Sequence, residues 1–232
     1  MNTDRLCRSL LALSVAATSL HAGVVAAAGA NLSYDLSGGP LNSNLQNYGL
    51  IDLRGNGTIA PGAPSTLTYG AQFLGLTADQ LRNNDSIRID GAKFGVGIAL
   101  GASGVTPSKI AGNLINKGSI SVNGLAGSGT STGISDMGSE LNGSLSNDGL
   151  IEASGASSSG VMLVQTKLNG IGNNGTISAS GSDALGLFLD GATLKGSVNN
   201  FGTIRATGAN AEAVTFEGVN FNTSASTAIL NL

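Results

Sequence analysis

The chain has 232 residues, of which 36 are Gly, 11% are charged and only 4% are aromatic, with no Trp. This composition excludes a conventional core built on large aromatic side chains, and 41% hydrophobic residues with a net charge of −3 exclude a disordered chain. The acidic balance also excludes nucleic acid and an anionic membrane surface as electrostatically favoured partners.

The first thirty residues have the order of a secretory signal peptide. Arg5 and Arg8 precede the apolar run LLALSVAATSLHAGVVAAAGA, which ends in small residues. The A-x-A pattern of Ala28 and Ala30 predicts cleavage after Ala30, with cleavage after Ala28 as the alternative. An uncleaved membrane anchor is the competing interpretation, but polar residues such as His21 interrupt the run.

Loss of residues 1–30 would change the chemistry of the mature chain. Cys7 and His21 are the only Cys and the only His, and both lie in this segment. The mature chain then has no thiol, disulfide or imidazole, so thiol catalysis, a serine hydrolase with a His base and zinc sites are all excluded. The sequence therefore predicts a protein that is not an enzyme, with no catalytic, cofactor-binding or metal-ligating residues.

A degenerate phrase recurs through the rest of the chain. It reads NYGLIDLRG from Asn47, NNDSIRIDG from Asn83, NKGSISVNG from Asn116, NDGLIEASG from Asn147, NNGTISASG from Asn173 and NFGTIRATG from Asn200. The third residues of these phrases are the markers Gly49, Asp85, Gly118, Gly149, Gly175 and Gly202. Their spacing falls from 36 to 26 or 27 residues. Loops of variable length on a constant frame produce such drift, because insertions in a solenoid collect between its rungs.

Each repeat predicts three short strands. Apolar residues alternate with polar ones after the marker, as in Ile177, Ser178 and Ala179, which is typical of a strand with one buried face. An earlier strand has aliphatic residues eight and four positions ahead of the marker: Leu41, Ile110, Leu141 and Leu194, then Leu45, Leu114, Leu145 and Val198. A later strand is formed by GVMLV, ALGLFL and AVTF in successive repeats.

Three strands per turn predict an all-β fold, a right-handed parallel β-helix of about six rungs. The repeats cover residues 41–218. Residues 31–40 are interpreted as an N-terminal lead-in, and residues 219–232 as an incomplete further rung. Stacked rungs place equivalent side chains in columns about 4.8 Å apart. We expect one inward column to contain Ile51, Ile87, Ile120, Ile151, Ile177 and Ile204. A neighbouring column is expected to narrow from Leu53 and Val122 to Ala153, Ala179 and Ala206.

The Gly and Asn residues of the phrase have separate predicted roles. The marker glycines are expected at turns with positive φ. The asparagines two positions ahead of the Gly markers are expected to stack as a hydrogen-bonded ladder with a structural role: Asn47, Asn116, Asn147, Asn173 and Asn200. A glycan-binding row is the alternative interpretation of this column.

The outward position of the marker strand reads Asp52, Arg88, Ser121, Glu152, Ser178 and Arg205 along the axis. Glu152 and Arg205 lie two rungs apart, and a polysaccharide lyase or glycosidase needs carboxylates with a basic residue near them. Because the charges alternate and Trp is absent, we interpret this column as a solvated face.

The other acidic residues fit turn caps and solvated charge better than metal ligands. Asp85 and Asp90 are interpreted as turn caps and solvated charge. Asp183 and Asp190 are too isolated to be the repeated ligands of calcium-binding turns.

The signal peptide followed by repeats of the N-x-G-x-I-x-A-x-G type resembles the passenger region of bacterial autotransporters, which are β-helical surface proteins secreted through an outer-membrane barrel. The likeness covers residues 41–218. It implies an exported passenger that serves surface display or adhesion without catalysis, with an outer-membrane β-barrel translocator and a host or bacterial surface ligand as partners. A spacer stalk that carries a distal domain and a carbohydrate-active β-helix enzyme are the alternatives.

Two features of that family are absent from the sequence. It has no C-terminal series of amphipathic membrane strands, and it stops at ASTAILNL within what reads as another unit. The chain is therefore interpreted as an N-terminal fragment, at the cell surface or outside the cell when joined to a barrel and otherwise in the periplasm. An open C-terminal edge, with apolar Phe221, Ile229, Leu230 and Leu232 beyond the last phrase, is expected to favour self-association.

Overall fold

The computed structural model describes residues 32–35, 41–43, 50–54, 57–59, 67–73, 75–101, 107–125, 129–221 and 230–231. Within these ranges the chain is all-β and forms a parallel β-solenoid of about five turns. None of the described residues belongs to a helix with the length and apolarity needed to cross a membrane. The signal peptide predicted at residues 1–30 lies outside the described ranges.

Each turn passes through three sheets in a fixed order. The first sheet has twelve strands: β1 (Leu32–Asp35), β3 (Leu50–Arg54), β6 (Thr77–Ala78), β7 (Gln80–Asn83), β10 (Lys109–Ile110), β11 (Leu114–Asn116), β14 (Glu140–Asn147), β17 (Lys167–Asn173), β20 (Thr193–Leu194), β21 (Val198–Asn200), β24 (Asn220–Phe221) and β25 (Leu230–Asn231). The second has six: β4 (Gly57–Ile59), β8 (Ser86–Ala92), β12 (Ser119–Gly124), β15 (Leu150–Ser154), β18 (Thr176–Ser180) and β22 (Thr203–Thr207). The third has seven: β2 (Leu41–Ser43), β5 (Leu67–Phe73), β9 (Phe94–Leu100), β13 (Thr130–Met137), β16 (Ser157–Val164), β19 (Leu185–Asp190) and β23 (Glu212–Glu217).

The strands pair in parallel with their equivalents in the turns before and after. In the second sheet Ile151 of β15 pairs with Ile120 of β12 and with Ile177 of β18, and Ile177 pairs with Ile204 of β22. This register confirms the predicted Ile column from Ile87 to Ile204. Its members through Ile177 are fully buried, and they belong to one continuous apolar core that runs along the axis.

The first turn differs from the prediction. Ile51 is not in the Ile column, because β3 lies in the first sheet and pairs Ile51 with Leu81. Gly57 of β4 pairs with Ile87 instead. Leu41 likewise lies in the third sheet, where it pairs with Ala71. The reason is that the string NGTI follows NYGLIDLRG directly in the sequence and its residues Gly57–Ile59 form the second-sheet strand of that turn, which leaves the earlier segment to the first sheet.

The first sheet also reaches beyond the predicted repeats at both ends. Strand β1, within residues 31–40, pairs in parallel with β3. Strands β24 and β25, within residues 219–232, pair with β20 and β21. The segments predicted as a lead-in and as an incomplete rung therefore both contribute strands to the solenoid.

The marker glycines are needed for close stacking of the turns. A Cβ atom on Gly149 would overlap the carbonyl oxygen of Gly118, and one on Gly175 would overlap that of Gly149. None of these three residues has a positive φ, so the predicted reason for them is wrong. Positive φ falls on the last Gly of the phrase, with 149° at Gly181 and 135° at Gly208. The marker glycines are therefore required because adjacent turns lie too close together for a Cβ atom at the corner between the first and second sheets.

A second glycine column sets the width of the core. Gly133 and Gly160 of the third sheet face Ile151 and Ile177 of the second sheet. A Cβ atom on Gly160 would lie 2.6 Å from Ile177 Cγ2, and one on Gly133 would overlap Ile151 Cγ2. Because real Cβ atoms do not approach so closely, an Ile on one wall requires a Gly on the opposite wall.

Candidate functional site

The stacked asparagines lie in the corner between the first and second sheets. The Nδ2 groups donate in series from Asn83 to Asn116, Asn147, Asn173 and Asn200, over 2.7 to 2.8 Å to each Oδ1 acceptor. The amides also donate to backbone carbonyls, as where Asn147 Nδ2 lies 3.2 Å from the carbonyl oxygens of Gly149 in its own turn and of Thr176 in the next. The predicted ladder is confirmed from Asn116 to Asn200, and Asn83 extends it; Asn47 lies outside the described residues.

The burial of the asparagine ladder distinguishes a structural role from a glycan-binding role. Asn83, Asn116, Asn147 and Asn173 are at most 1% exposed, so an external glycan cannot contact their amides. The ladder begins at Asn83, because the residue that pairs with Asn83 in the preceding turn is Leu53. Asn83 Oδ1 accordingly has no hydrogen-bond partner among the described residues. The column therefore holds the turns together.

The outer face of the second sheet does not assemble a carboxylate with a base. Glu152, Ser178 and Arg205 are in register on three successive turns, as expected. Arg205 Nε donates a 3.1 Å hydrogen bond to Ser178 Oγ, so the guanidinium is held by the serine between it and Glu152. Asp52 is not on this face, because it pairs with Arg82 in the first sheet.

The acidic residues considered as caps or metal ligands belong to different turns, since Asp90 lies within β8 and Asp190 is the last residue of β19. Asp90 accepts hydrogen bonds from Arg88 Nε at 2.6 Å and Asn123 Nδ2 at 2.8 Å, and these bonds lower the pKa of the Asp90 carboxyl. Asp183 accepts one from Asn210 Nδ2 at 3.2 Å. The part of the chain that the structure describes contains no group of three or more His, Cys, Asp or Glu residues suited to a metal ion.

The outer face of the first sheet is charged. Lys109, Glu140 and Lys167 are in register on successive turns, and Lys167 Nζ lies 2.9 Å from Glu140 Oε1. A shallow groove of about 220 Å³ runs beside them, and its lining includes Asp79 and Asn142. This face offers alternating charges to solvent.

Part of the outer face of the third sheet is uncharged over five turns, whereas Asp190 lies on the same side at the end of β19 and Glu212 pairs with Leu185 in the following turn. Two neighbouring outward columns contain Tyr69, Val96, Thr132, Ser159 and Leu185, and Gln72, Ala99, Ser135, Met162 and Phe188. Val96, Met162, Leu185 and Phe188 are each partly exposed. We call these ten residues the neutral face. Sequence reasoning missed it because runs such as GVMLV and ALGLFL are apolar on both sides of the strand, so alternation does not separate inward from outward positions.

Comparison with known proteins adds no relative to this description. No family model matches the chain, and neither a curated protein nor a solved structure matches it. The candidate site is therefore defined by geometry alone, as a flat neutral face between two faces that carry charged residues.

Proposed function

We propose that the chain is the exported passenger of an autotransporter-like protein and serves adhesion or surface display without catalysis. The observation that supports this proposal is the neutral face. Partly exposed apolar side chains that lie next to one another, as those of Met162 and Phe188 do, are typical of interaction surfaces. Here they are aligned by the register of the third sheet, so the surface is preorganised before a ligand arrives.

The neutral face suits an uncharged ligand at a host or bacterial surface. Val96, Met162 and Phe188 supply apolar contacts, while Ser159, which is partly exposed, supplies a hydroxyl group that can donate or accept a hydrogen bond. Successive turns repeat these contacts about every 4.8 Å along the axis. A ligand that spans several turns then gains from several weak contacts at once.

The proposal includes the partners and location that the sequence suggested. The segment 1–30 would direct export, and an outer-membrane β-barrel translocator would carry the solenoid to the cell surface. Without a barrel, the same chain would remain in the periplasm. The charged faces of the first and second sheets would keep the solenoid in solution while the neutral face contacts the ligand.

A spacer stalk is a second candidate, and the regular stacking of the turns favours it. The buried ladder from Asn83 to Asn200 and the glycine contacts between turns give each rung one fixed position relative to the next. Such a rod can carry a distal domain without binding anything itself.

The test is adherence of a non-adherent bacterial strain that displays the full chain through a heterologous barrel. We expect the strain to adhere to cultured epithelial cells above the level given by the barrel alone. The double variant Met162→Lys and Phe188→Lys should lower adherence by roughly tenfold, because two ammonium groups would have to be desolvated against a neutral ligand. The matched control Ser121→Lys places a lysine on the outer face of the second sheet and should leave adherence unchanged.

Two results would contradict the proposal. Wild-type adherence no higher than that of the barrel alone would favour the spacer. Hydrolysis or elimination of a polysaccharide that is lost in Glu152→Gln would favour the carbohydrate-active enzyme.

A further inference from the structure

One side chain in the apolar core is a carboxyl group. Asp136 lies near the end of β13 and is only 1% exposed. Its partners in register are Leu100 in the turn before and Leu163 in the turn after. The same column continues to Phe73 at one end and to Leu189 and Phe216 at the other. Asp136 therefore interrupts a column that is otherwise made of Leu and Phe.

The hydrogen bonds around Asp136 are incomplete. Thr166 Oγ1 donates to Asp136 Oδ2 over 2.6 Å. The hydroxyl of Ser139 and the backbone N–H groups of Met137 and Ser139 also lie near the carboxyl and favour its ionised form, which offsets part of the effect of burial on the pKa of Asp136. Asp136 Oδ1 and Ser139 Oγ are nevertheless buried and have no hydrogen-bond partner of good geometry among the described residues. A buried carboxylate with one unpaired oxygen is costly, whereas a neutral carboxyl group can donate its proton to an oxygen such as Ser139 Oγ.

No charged residue in the described ranges compensates the carboxyl of Asp136. The flanking strands β9 and β16 carry no charged residue. Glu152 lies on the outward side of β15, and Glu140, beyond the corner, is directed to solvent and paired with Lys167. Only burial and hydrogen bonds act on the carboxyl, and burial raises the pKa of Asp136 to about 6.

We propose that Asp136 is a proton-dependent weak point in the solenoid, at which the contact between β13 and its neighbouring turns is tight when the carboxyl is protonated and opens when it is ionised. The inference rests on the position of Asp136 in a column of Leu and Phe and on the buried oxygens Asp136 Oδ1 and Ser139 Oγ. It does not depend on the proposed role in adhesion. It implies that the solenoid is held together more firmly in mildly acidic surroundings than at neutral pH.

The direction of the pH effect follows from linkage. The carboxyl binds its proton more tightly in the folded chain, with a pKa of about 6, than in the unfolded chain, where the ordinary value is 3.8. This contribution to stability is therefore complete below the unfolded value and is lost as the pH rises through the folded value. Between about pH 4.5 and pH 8 the folding equilibrium constant should fall on the order of 30-fold from this group alone.

The test compares the full wild-type chain with Asp136→Asn, which keeps the shape of the side chain and cannot titrate. Urea unfolding at the two pH values should show the roughly 30-fold loss in the wild type relative to the variant. Hydrogen exchange, corrected for the intrinsic rate, should show loss of protection at the higher pH in β13 and β16, while β18 remains protected. Asp136→Leu, which restores the residue type of the column, should remove the same pH dependence.

A direct titration keeps the proposal testable if a variant does not fold. The carboxyl carbon resonance of Asp136 in the wild-type chain should titrate near pH 6. A midpoint near the ordinary value, equal pH dependence in the wild type and Asp136→Asn, or loss of protection spread evenly over all turns would each overturn the proposal.

Discussion

The asparagine corner and the corner near Asp136 both bury polar side chains, but they do so in opposite ways. In the first, the amide of Asn147 accepts from Asn116 and donates to Asn173, so each interior member has a partner on both sides. In the second, Asp136 has Leu100 and Leu163 as its neighbours in the column. A solenoid can therefore bury a polar side chain at low free-energy cost when each turn has the same polar residue to bond the next. The cost is high when a single turn has the polar residue and its neighbours in the column are apolar.

At the asparagine corner, the largest loss of stability is expected from a substitution that forces adjacent turns apart. Gly149→Ala would place a Cβ on the carbonyl oxygen of Gly118, where the neighbouring atoms are backbone and cannot rotate away. We expect a loss of about 3 kcal/mol in the free energy of unfolding, as for overpacking in a rigid core. Urea unfolding provides the measurement.

Gly172→Ala is the matched control for that change. A Cβ on Gly172 would meet no atom within 4 Å, and its φ is not positive. The control should change the free energy of unfolding by less than about 1 kcal/mol. Similar losses at the two positions would show that close stacking of turns is not what Gly149 provides.

Removal of one amide tests the ladder itself. Asn147→Ala would remove the ladder acceptor of Asn116 Nδ2, which keeps the carbonyl oxygens of Gly118 and Leu150, and would leave the buried Oδ1 of Asn173 without its donor. We expect a loss of about 2 to 3 kcal/mol in the free energy of unfolding, because Asn173 Oδ1 and the carbonyl oxygens of Gly149 and Thr176 all lose the amide of Asn147.

The end of the ladder provides the comparison for Asn147. Asn83→Ala removes the donor to Asn116 Oδ1 and to the carbonyl oxygen of Asp85, but it takes no acceptor from a neighbour in the ladder, because the Oδ1 of Asn83 has no partner among the described residues. The loss measured by urea unfolding should be smaller by about 1 kcal/mol. An equal or larger loss at Asn83 would contradict the idea that interior members are stabilised from both sides.

The two corners also differ in how far sequence could predict them. The ladder follows from the phrase, because Asn recurs two residues ahead of each Gly marker and parallel stacking brings equivalent residues together. The register of the Ile column follows in the same way. The first turn could not be assigned correctly, because NYGLIDLRG and the string NGTI that follows it both fit the phrase and only pairing with Leu81 and Ile87 distinguishes them.

The corner near Asp136 and the neutral face could not be predicted from the phrase, since both belong to the third sheet. There Gly160 faces Ile177 across the core, and the strand continues with both Gly160 and Val161 buried. Strict alternation is lost at that point, so the inward position of Asp136 and the outward position of Met162 are fixed only by pairing. The column of Leu at the positions equivalent to Asp136 is a signal that an alignment of the third strands would have shown.

Glu140 gives the smallest expected effect and sharpens the comparison with Asp136, which is four residues earlier in the chain. The hydrogen bond and charge of Lys167 lower the pKa of Glu140, whereas burial raises that of Asp136. The stability that Glu140 contributes is therefore present above its unfolded pKa and lost as the pH falls, which is opposite in sign to Asp136.

Because the side chains of Glu140 and Lys167 are 42% and 62% exposed, solvent screens their interaction. Glu140→Gln should change the free energy of unfolding by less than about 0.5 kcal/mol at neutral pH, and by less still in 1 M salt. Urea unfolding of this variant at about pH 4.5 and pH 8 should keep the wild-type loss of stability with rising pH. If Glu140→Gln removed that dependence and Asp136→Asn did not, the exposed pair and not the buried carboxyl would control the response of the solenoid to pH.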